Sequence, residues 1–247
     1  MNAHTSDAHV GSFGVSSDVV IMTIRDGALR VLLVRRGAEP FAGRWALPGG
    51  LLTEYEDAAS AATRVLGAKT GVDADGFHLE QLATYSAPDR DPRLRVVSVA
   101  HLAFAPDLPE AAGSDEGDAP TARWWRVEDL FDDPDAPLLA FDHGTIIRDA
   151  LERVRAKLEY TTLATRFIAE PFTMAELRAV YGAVWGVLPA RATFIRAVLA
   201  TDGFVVPDDA PDSSAPSPTL YRRGDATDLH PAMLRSRAGE PERLPIY

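Results

Sequence analysis

The chain contains no cysteine, which removes disulfides, thiolate nucleophiles and cysteine-ligated zinc, and is compatible with a reducing cytoplasm. It has no apolar run of eighteen residues, so no membrane span is expected. Basic residues are in deficit: 25 Lys and Arg against 36 Asp and Glu leave a formal charge of −11. That balance argues against a polybasic coat for nucleic acid or membrane as the main surface, while leaving room for a local basic patch. The opening MNAHTSDAHVGSFG lacks both the basic start and the apolar middle of a secretion signal and reads as a flexible tail over residues 1–15. Internal repeats are absent. A cytoplasmic location without membrane attachment is the expectation.

What the chain does contain fits one large or two small domains in 247 residues. From Ser17 to Arg35 apolar and polar residues alternate, with Asp26-Gly27 between two Val/Ile/Leu runs, a hairpin signal. Ala58, Ala61, Ala62, Val65, Leu66 and Ala68 repeat at helical spacing before Gly71, a C-cap candidate. Strand-like runs follow at HLEQLATY, RVVSVAHLAFAP and ARWWRVEDL, so strands surround a helix in a mixed α/β domain. A second helix is expected from Asp142, its N-cap candidate, with Ile146, Ile147, Ala150, Leu151, Val154 and Leu158 on one stripe, serving as an arm between domains.

Beyond that arm the pattern changes to short helices. TMAELRAVYGAVW opens with Thr173 and Glu176 spaced as a capping box and stops at Gly186, and ARATFIRAVLAT follows Pro189. GFVVP, an Asp/Ser/Pro-rich loop and TLYRR then read as strand, loop and strand. Two helices and a hairpin in that order predict a small winged helix-turn-helix domain. The expected divisions are the mixed α/β domain over 16–140, a linker helix over 141–160, the winged helix over 161–225 and a C-terminal tail over 226–247.

The segment GLLTEYEDAASAATRVLGAKTGV, Gly50 to Val72, has the spacing of the Nudix box: LPGG at Leu47 to Gly50, Glu56, Arg64, then Gly71 and Val72. On these residues the chain resembles the Nudix family, which implies a mixed sheet with helices and a site for nucleoside diphosphate derivatives. The three glutamates that the family carries after the arginine are replaced by Val65, Ala68 and Lys69. Hard cations such as Mg²⁺ need oxygen ligands, and Glu56 alone cannot supply them. A lysine adds repulsion. The box therefore reads as retired: no catalytic residue, no metal ligand, no required cofactor, and Mg²⁺ not expected.

The same resemblance implies ligand-binding residues for an ADP-ribose-type nucleotide. These are Arg36, Arg44, Trp45, Gly49, Gly50, Glu56, Arg64, Arg90 and Arg93, with Arg35 and Arg95 as further charge partners. Trp45 can stack on a base or pack in the core, and Glu56 and Arg64 can equally pair with each other. Followed by the arm and the two short helices, a non-catalytic Nudix domain resembles the Nudix-related transcriptional regulators of NAD metabolism. That resemblance implies double-stranded DNA, a small-molecule nucleotide and a second copy of the chain as partners. Arg191, Thr193, Arg196, Arg222 and Arg223 become candidate DNA contacts, although from Thr161 onward nine arginines face ten acidic residues. The competing expectation is an enzyme: a Nudix-fold hydrolase with non-standard chemistry on an NAD-derived dinucleotide in a specialised pathway, drawing on Glu54, Glu56, Asp57 or Glu80.

Overall fold

The computed structural model describes residues 12–71, 76–106, 108–109, 122–131, 133–208 and 218–235. The outer parts of both expected tails, 1–11 and 236–247, lie outside the described residues. The centre of the molecule is β1 (Gly14–Arg25), which turns back through Asp26 and Gly27 into β2 (Ala28–Arg35). The two turn residues have φ of 51° and 71°, the positive values that a tight hairpin between twisted strands requires.

Around this hairpin a seven-stranded mixed sheet forms. Beyond β2 lie β3 (Trp45–Ala46) and β7 (Ala122–Arg126). The first half of β1 pairs antiparallel with β4 (Gly49–Leu51), and its length runs parallel to β6 (Val96–Phe104). An outer strand, β5 (His78–Tyr85), pairs with β6. Where the sequence suggests alternation in β1, every residue from Ser16 to Thr23 is buried. The reason is that helices cover both faces of the sheet, so each side of the strand needs apolar residues.

One covering helix is α1 (Ala58–Thr70), which lays Ala62, Val65 and Leu66 against Val19 and Ile21. The Asp57 carboxylate caps it by accepting from the Ser60 N–H at 2.7 Å, and Gly71 ends it at φ 69°. The other is α2 (His143–Tyr160), whose buried Ile146, Ile147, Ala150, Val154 and Leu158 share a core with Val20 and Met22 on the opposite face. Polar contacts fasten α2 along β5: Tyr85 donates to Asp149 at 2.7 Å, and Glu80 meets Lys157 at 2.7 Å and Arg153 at 3.3 Å.

After a 3₁₀ turn at Thr162–Phe167 come β8 (Phe172–Thr173), α3 (Met174–Trp185), α4 (Arg191–Ala200), β9 (Val205–Pro207) and β10 (Leu220–Arg223). The last two and β8 make a small antiparallel sheet in the order β8, β10, β9. Thr173 and Glu176 form the expected reciprocal capping box. The expected arm is more than an arm: Leu177, Val180, Tyr181, Val184, Phe194 and Val198 join the core that contains the α2 stripe. Phe104 of β6 stacks on Phe167 at 4.2 Å with rings 4° from parallel.

The stretch expected to be a tail also folds as far as Arg235. Leu229 and Met233 are buried in the same core, their N–H groups donate to Tyr160 O and Glu159 O at 2.8 Å, and Arg235 reaches Glu152 at 2.7 Å. Two apolar side chains spaced by four residues, two backbone hydrogen bonds and one arginine together anchor a sequence that is otherwise polar. Among the described residues no helix is long and apolar enough to cross a membrane.

Candidate functional site

A cleft of about 300 Å³ opens between the β2–β3 connection, the glycine turn and the start of α2. Its walls carry Arg35, Arg36, Lys69, Arg90 and Arg93 against only two carboxylates, Asp18 and Asp91. In a chain of net charge −11 this is a local reversal of sign, and a cleft that concentrates one sign of charge draws ligands of the other.

The glycine turn is placed by β1. Pro48 O accepts from the Val19 N–H at 2.8 Å, and β4 then pairs with Ser16 to Asp18. A Cβ on Gly49 would stand 2.4 Å from Asp18 Oδ1 and 2.7 Å from Ser17 O, whereas one on Gly50 would meet nothing within 4 Å. Gly49 is therefore required by packing. Gly50 leaves the cleft wall open.

Opposite the glycines, the floor comes from the residues that start α2. Segment 138–140 runs beside β3, with the Trp45 N–H donating to Leu138 O and the Ala140 N–H donating to Trp45 O. This carries Phe141 into the cleft at φ 53°, a left-handed conformation that a bulky residue rarely takes and that clusters at functional sites. Its ring is wedged edge-on against Phe41 at 5.0 Å, with the Arg36 guanidinium at 4.7 Å and that of Arg93 at 5.8 Å. His143, also buried, accepts the Leu47 N–H on Nδ1 at 2.8 Å, so its proton sits on Nε2, 3.8 Å from Asp18. Burial holds this imidazole below its usual pKa.

Most of the cleft cations are already committed. Arg90 is almost fully buried and forks onto Asp142 at 2.7 and 2.9 Å, with Asp18 3.6 Å away. Asp142 does stand at the start of α2 as expected, but it makes no side-chain cap there because its carboxylate is taken by Arg90. Arg93 forks onto Asp91, and this hydrogen bonding holds the Asp91 carboxyl below the usual carboxylate range. Arg36 donates to Pro40 O at 2.9 Å, and burial beside Arg93 lowers its pKa. Among the described residues Arg35 uses only its Nε, toward Gly43 O at 3.3 Å. Lys69, half-buried in the last turn of α1, has no ion pair among the described residues.

Of the nine residues expected to bind ligand, five line the cleft: Arg36, Gly49, Gly50, Arg90 and Arg93. Arg44 instead lies over the Phe41 ring at 5.1 Å, and Trp45 packs edge-on against Trp125 in the core. Glu56 and Arg64 bind each other through two bonds of 2.7 and 2.8 Å. Arg95, the further charge partner, lies over the Phe13 ring at 5.5 Å. Reasoning from sequence missed Asp18, Phe141 and His143. Phe141 and His143 fall between two expected domains, and only the pairing of 138–140 with β3 brings them in. Lys69 was visible, but as a missing glutamate.

The donor set does not suit a divalent metal. The one remaining box glutamate is engaged by Arg64, Val65 is buried against the sheet, and among the described residues no three His, Cys, Asp or Glu side chains cluster as ligands would. The arrangement suits an anion with a flat group: committed guanidinium groups shape the wall, backbone groups line the glycine turn, and an aromatic ring forms the floor.

At the other end of the molecule, α4 buries Phe194 and Val198 and leaves Arg191 and Arg196 exposed, with Thr193 half-buried. Five residues apart, the two arginines stand about 140° apart around the helix. Arg222 is tied to Asp208 at 2.6 Å across the β9–β10 hairpin. Arg223 is turned inward, donating to Thr165 Oγ1 and Thr165 O at 3.0 Å and lying 3.6 Å from Glu170. It fastens the 3₁₀ turn to β10. Of the five candidate DNA contacts, only Arg191 and Arg196 are exposed cations without a partner among the described residues.

The NUDIX domain family matches residues 15–149. Over 211 residues the chain is 30% identical to the ADPR responsive transcriptional repressor NtrR of Acinetobacter baylyi, an alignment covering 83% of this chain and 80% of that protein. Shewanella oneidensis NrtR in complex with a 27mer DNA superposes with a TM-score of 0.68 at 29% identity, covering 87% of this chain and 93% of that one. The NUDIX domain of the same Shewanella protein complexed with ADP ribose superposes with a TM-score of 0.50 at 32% identity, covering 62% of this chain and 95% of that one.

Proposed function

The chain belongs to the NUDIX domain family, and from that premise we propose that it is a ligand-responsive DNA-binding transcriptional regulator. Its cleft takes ADP-ribose or a related NAD-derived nucleotide, and its C-terminal part is a winged helix-turn-helix. The sensor corresponds to residues 16–140, the connecting helix to 141–160 and the DNA-binding part to 161–225, with residues 226–235 strapped back onto the helix. Two copies act together, each placing one α4 on half of a palindromic site.

The observation that carries this reading is that one helix belongs to both ends. At the start of α2, Phe141 and His143 line the cleft while Asp142 holds the lining Arg90, and the apolar stripe of the helix lies in the core that supports α3 and α4. A ligand that prefers one placement of the α2 start therefore biases the position of α4, provided its affinity differs between the two placements. Moving the population from about 1:99 to 99:1 takes roughly 5.5 kcal/mol of such preference. Hydrolysis of the nucleotide has no support in the site, because the carboxylates at hand are each engaged by an arginine or by serine and histidine neighbours.

The test is anisotropy titration of labelled DNA from upstream of the chain's own gene, at low and moderate salt, with and without ADP-ribose, with recovery of the nucleotide checked afterwards. Sequence-specific binding that intact ADP-ribose alters is expected. No retention of that DNA at the lowest salt, or conversion of the nucleotide to products, overturns the proposal.

A further inference from the structure

Diphosphates are ordinarily held in sites of this fold with the help of a divalent cation, whose charge offsets that of the two phosphates. Among the described residues this cleft offers no ligand set for one. What it offers, among the described residues, is one cation without a partner, Lys69, and a second, Arg35, that makes a single bond through Nε. Arg36, Arg90 and Arg93 each spend their guanidinium on a protein oxygen or carboxylate. Arg35 retains its terminal nitrogens after one bond from Nε, and Lys69 has no partner among the described residues.

Lys69 reaches the cleft from the last turn of α1, on the same wall as Gly49 and Gly50. The negative end of the helix favours a cation there, which accounts for a lysine in that turn. It does not account for that lysine lining the cleft. Neither cleft carboxylate is available to neutralise it: Asp91 is forked by Arg93, and Asp18 takes hydrogen bonds from Ser16 and Ser98 with Arg90 alongside. An ammonium is a compact point charge on a flexible stem, with three donors that can turn toward phosphate oxygens. Together Lys69 and Arg35 supply two positive charges, the number carried by one divalent ion.

We propose that Lys69, seconded by Arg35, takes the place of the divalent cation, so that the cleft binds the diphosphate of its nucleotide without metal. This rests on the nucleotide reading given above. It adds a consequence that the reading alone lacks: free Mg²⁺ should not strengthen binding, because the ion is repelled by Lys69 and competes for the ligand's phosphates.

Calorimetric titration of the full chain with ADP-ribose, once in a chelator and once in millimolar Mg²⁺, tests it, alongside Lys69→Arg, Lys69→Ala and Lys69→Glu. The wild-type Kd is expected to agree in the two buffers within about twofold. Lys69→Ala should weaken binding about ten- to a hundredfold, the loss of a charge-assisted contact, and Lys69→Glu more than that. Lys69→Arg should keep binding within severalfold. Lys69 is half-buried and outside the core, so unchanged thermal melts would establish that each variant is folded. Binding by the wild type only when Mg²⁺ is present overturns this inference and leaves the nucleotide reading standing. So does wild-type affinity in Lys69→Ala and Lys69→Glu. Absence of binding in both buffers overturns the nucleotide reading and this inference with it.

Discussion

Replacing Asp142 with alanine should strike both stability and response. The Arg90 side chain is 4% exposed, and its two partners, Asp142 and Asp18, are 23% and 10% exposed. Of the two, Asp142 makes the close forked contact at 2.7 and 2.9 Å, while Asp18 is at 3.6 Å and already takes a hydrogen bond from Ser98. Removing one partner of a buried ion pair costs about 3–5 kcal/mol, because the other charge stays buried without compensation. With Asp18 able to recover part of this, about 3 kcal/mol is expected. For a chain of this size, with about 2–4 °C per kcal/mol, that is a fall in Tm of roughly 6–12 °C. Loss of a helix cap cannot explain it, since the Asp142 side chain caps nothing. Asp142→Asn, which keeps the shape and removes the charge, should give most of the same fall. Differential scanning calorimetry would read the stability, and DNA titration with and without ADP-ribose would read the response, which should shrink as the α2 start loosens from the cleft. A Tm change under about 2 °C in Asp142→Ala would mean that water reaches Arg90 freely, and the argument from burial would be refuted.

Three further outcomes are expected. Glu80 is held at a pKa of about 2, against an ordinary 4.5; burial pushes it up, but hydrogen bonds from His78 and Lys157 outweigh that. Its contribution is thus complete above pH 4.5 and fades as the pH falls toward 2. Urea unfolding of wild type and Glu80→Gln should differ at pH 7, and the difference should shrink steadily below pH 4.5 as the pH approaches 2; an undiminished difference at about pH 3 would count against the assignment. Gly49→Ala should cost about 1–3 kcal/mol by overpacking against β1, while Gly50→Ala changes stability little; paired melts giving equal losses would contradict the geometry. Arg191→Ala and Arg196→Ala should each lower the slope of log K against log salt for DNA by about 0.9 if each neutralises one phosphate. Arg223→Ala should instead lower Tm, and a salt slope that moves only in Arg223→Ala would reverse these roles.

The larger elements were legible because each has a period or a punctuation mark. Asp26-Gly27 announced the β1–β2 turn, Gly71 the end of α1, and Thr173 with Glu176 the start of α3. The shortest pieces had neither: β3, β4 and β8 span two or three residues each, too few for any alternation to register. The candidate site was legible at the glycines of the motif, Gly49 and Gly50, and at Arg36, Arg90 and Arg93, all of which line the cleft. Phe141 and His143 were not, because their place in the cleft depends on a pairing between chain segments about ninety residues apart. Arginine identity also said little about arginine availability. Arg64, Arg90 and Arg223 look alike in the sequence, yet one pairs with Glu56, one is sealed beneath the cleft and one bolts the 3₁₀ turn to β10.

The strap formed by Leu229, Met233 and Arg235 has a consequence for how the molecule is made. Arg235 meets Glu152 across 83 residues of chain, and a ribosome adding 5–20 residues per second needs roughly 4–16 seconds to synthesise that interval. Until those residues follow, part of the α2 surface lacks the cover that Leu229, Met233 and Arg235 give it. The nascent sensor must keep that surface out of contact with neighbouring chains until the strap emerges. Assembly of the reading head therefore finishes last, and a chain halted a few residues before Leu229 would carry a formed cleft on a helix still held by β5 and the shared core but without its anchors at Glu152, Glu159 and Tyr160.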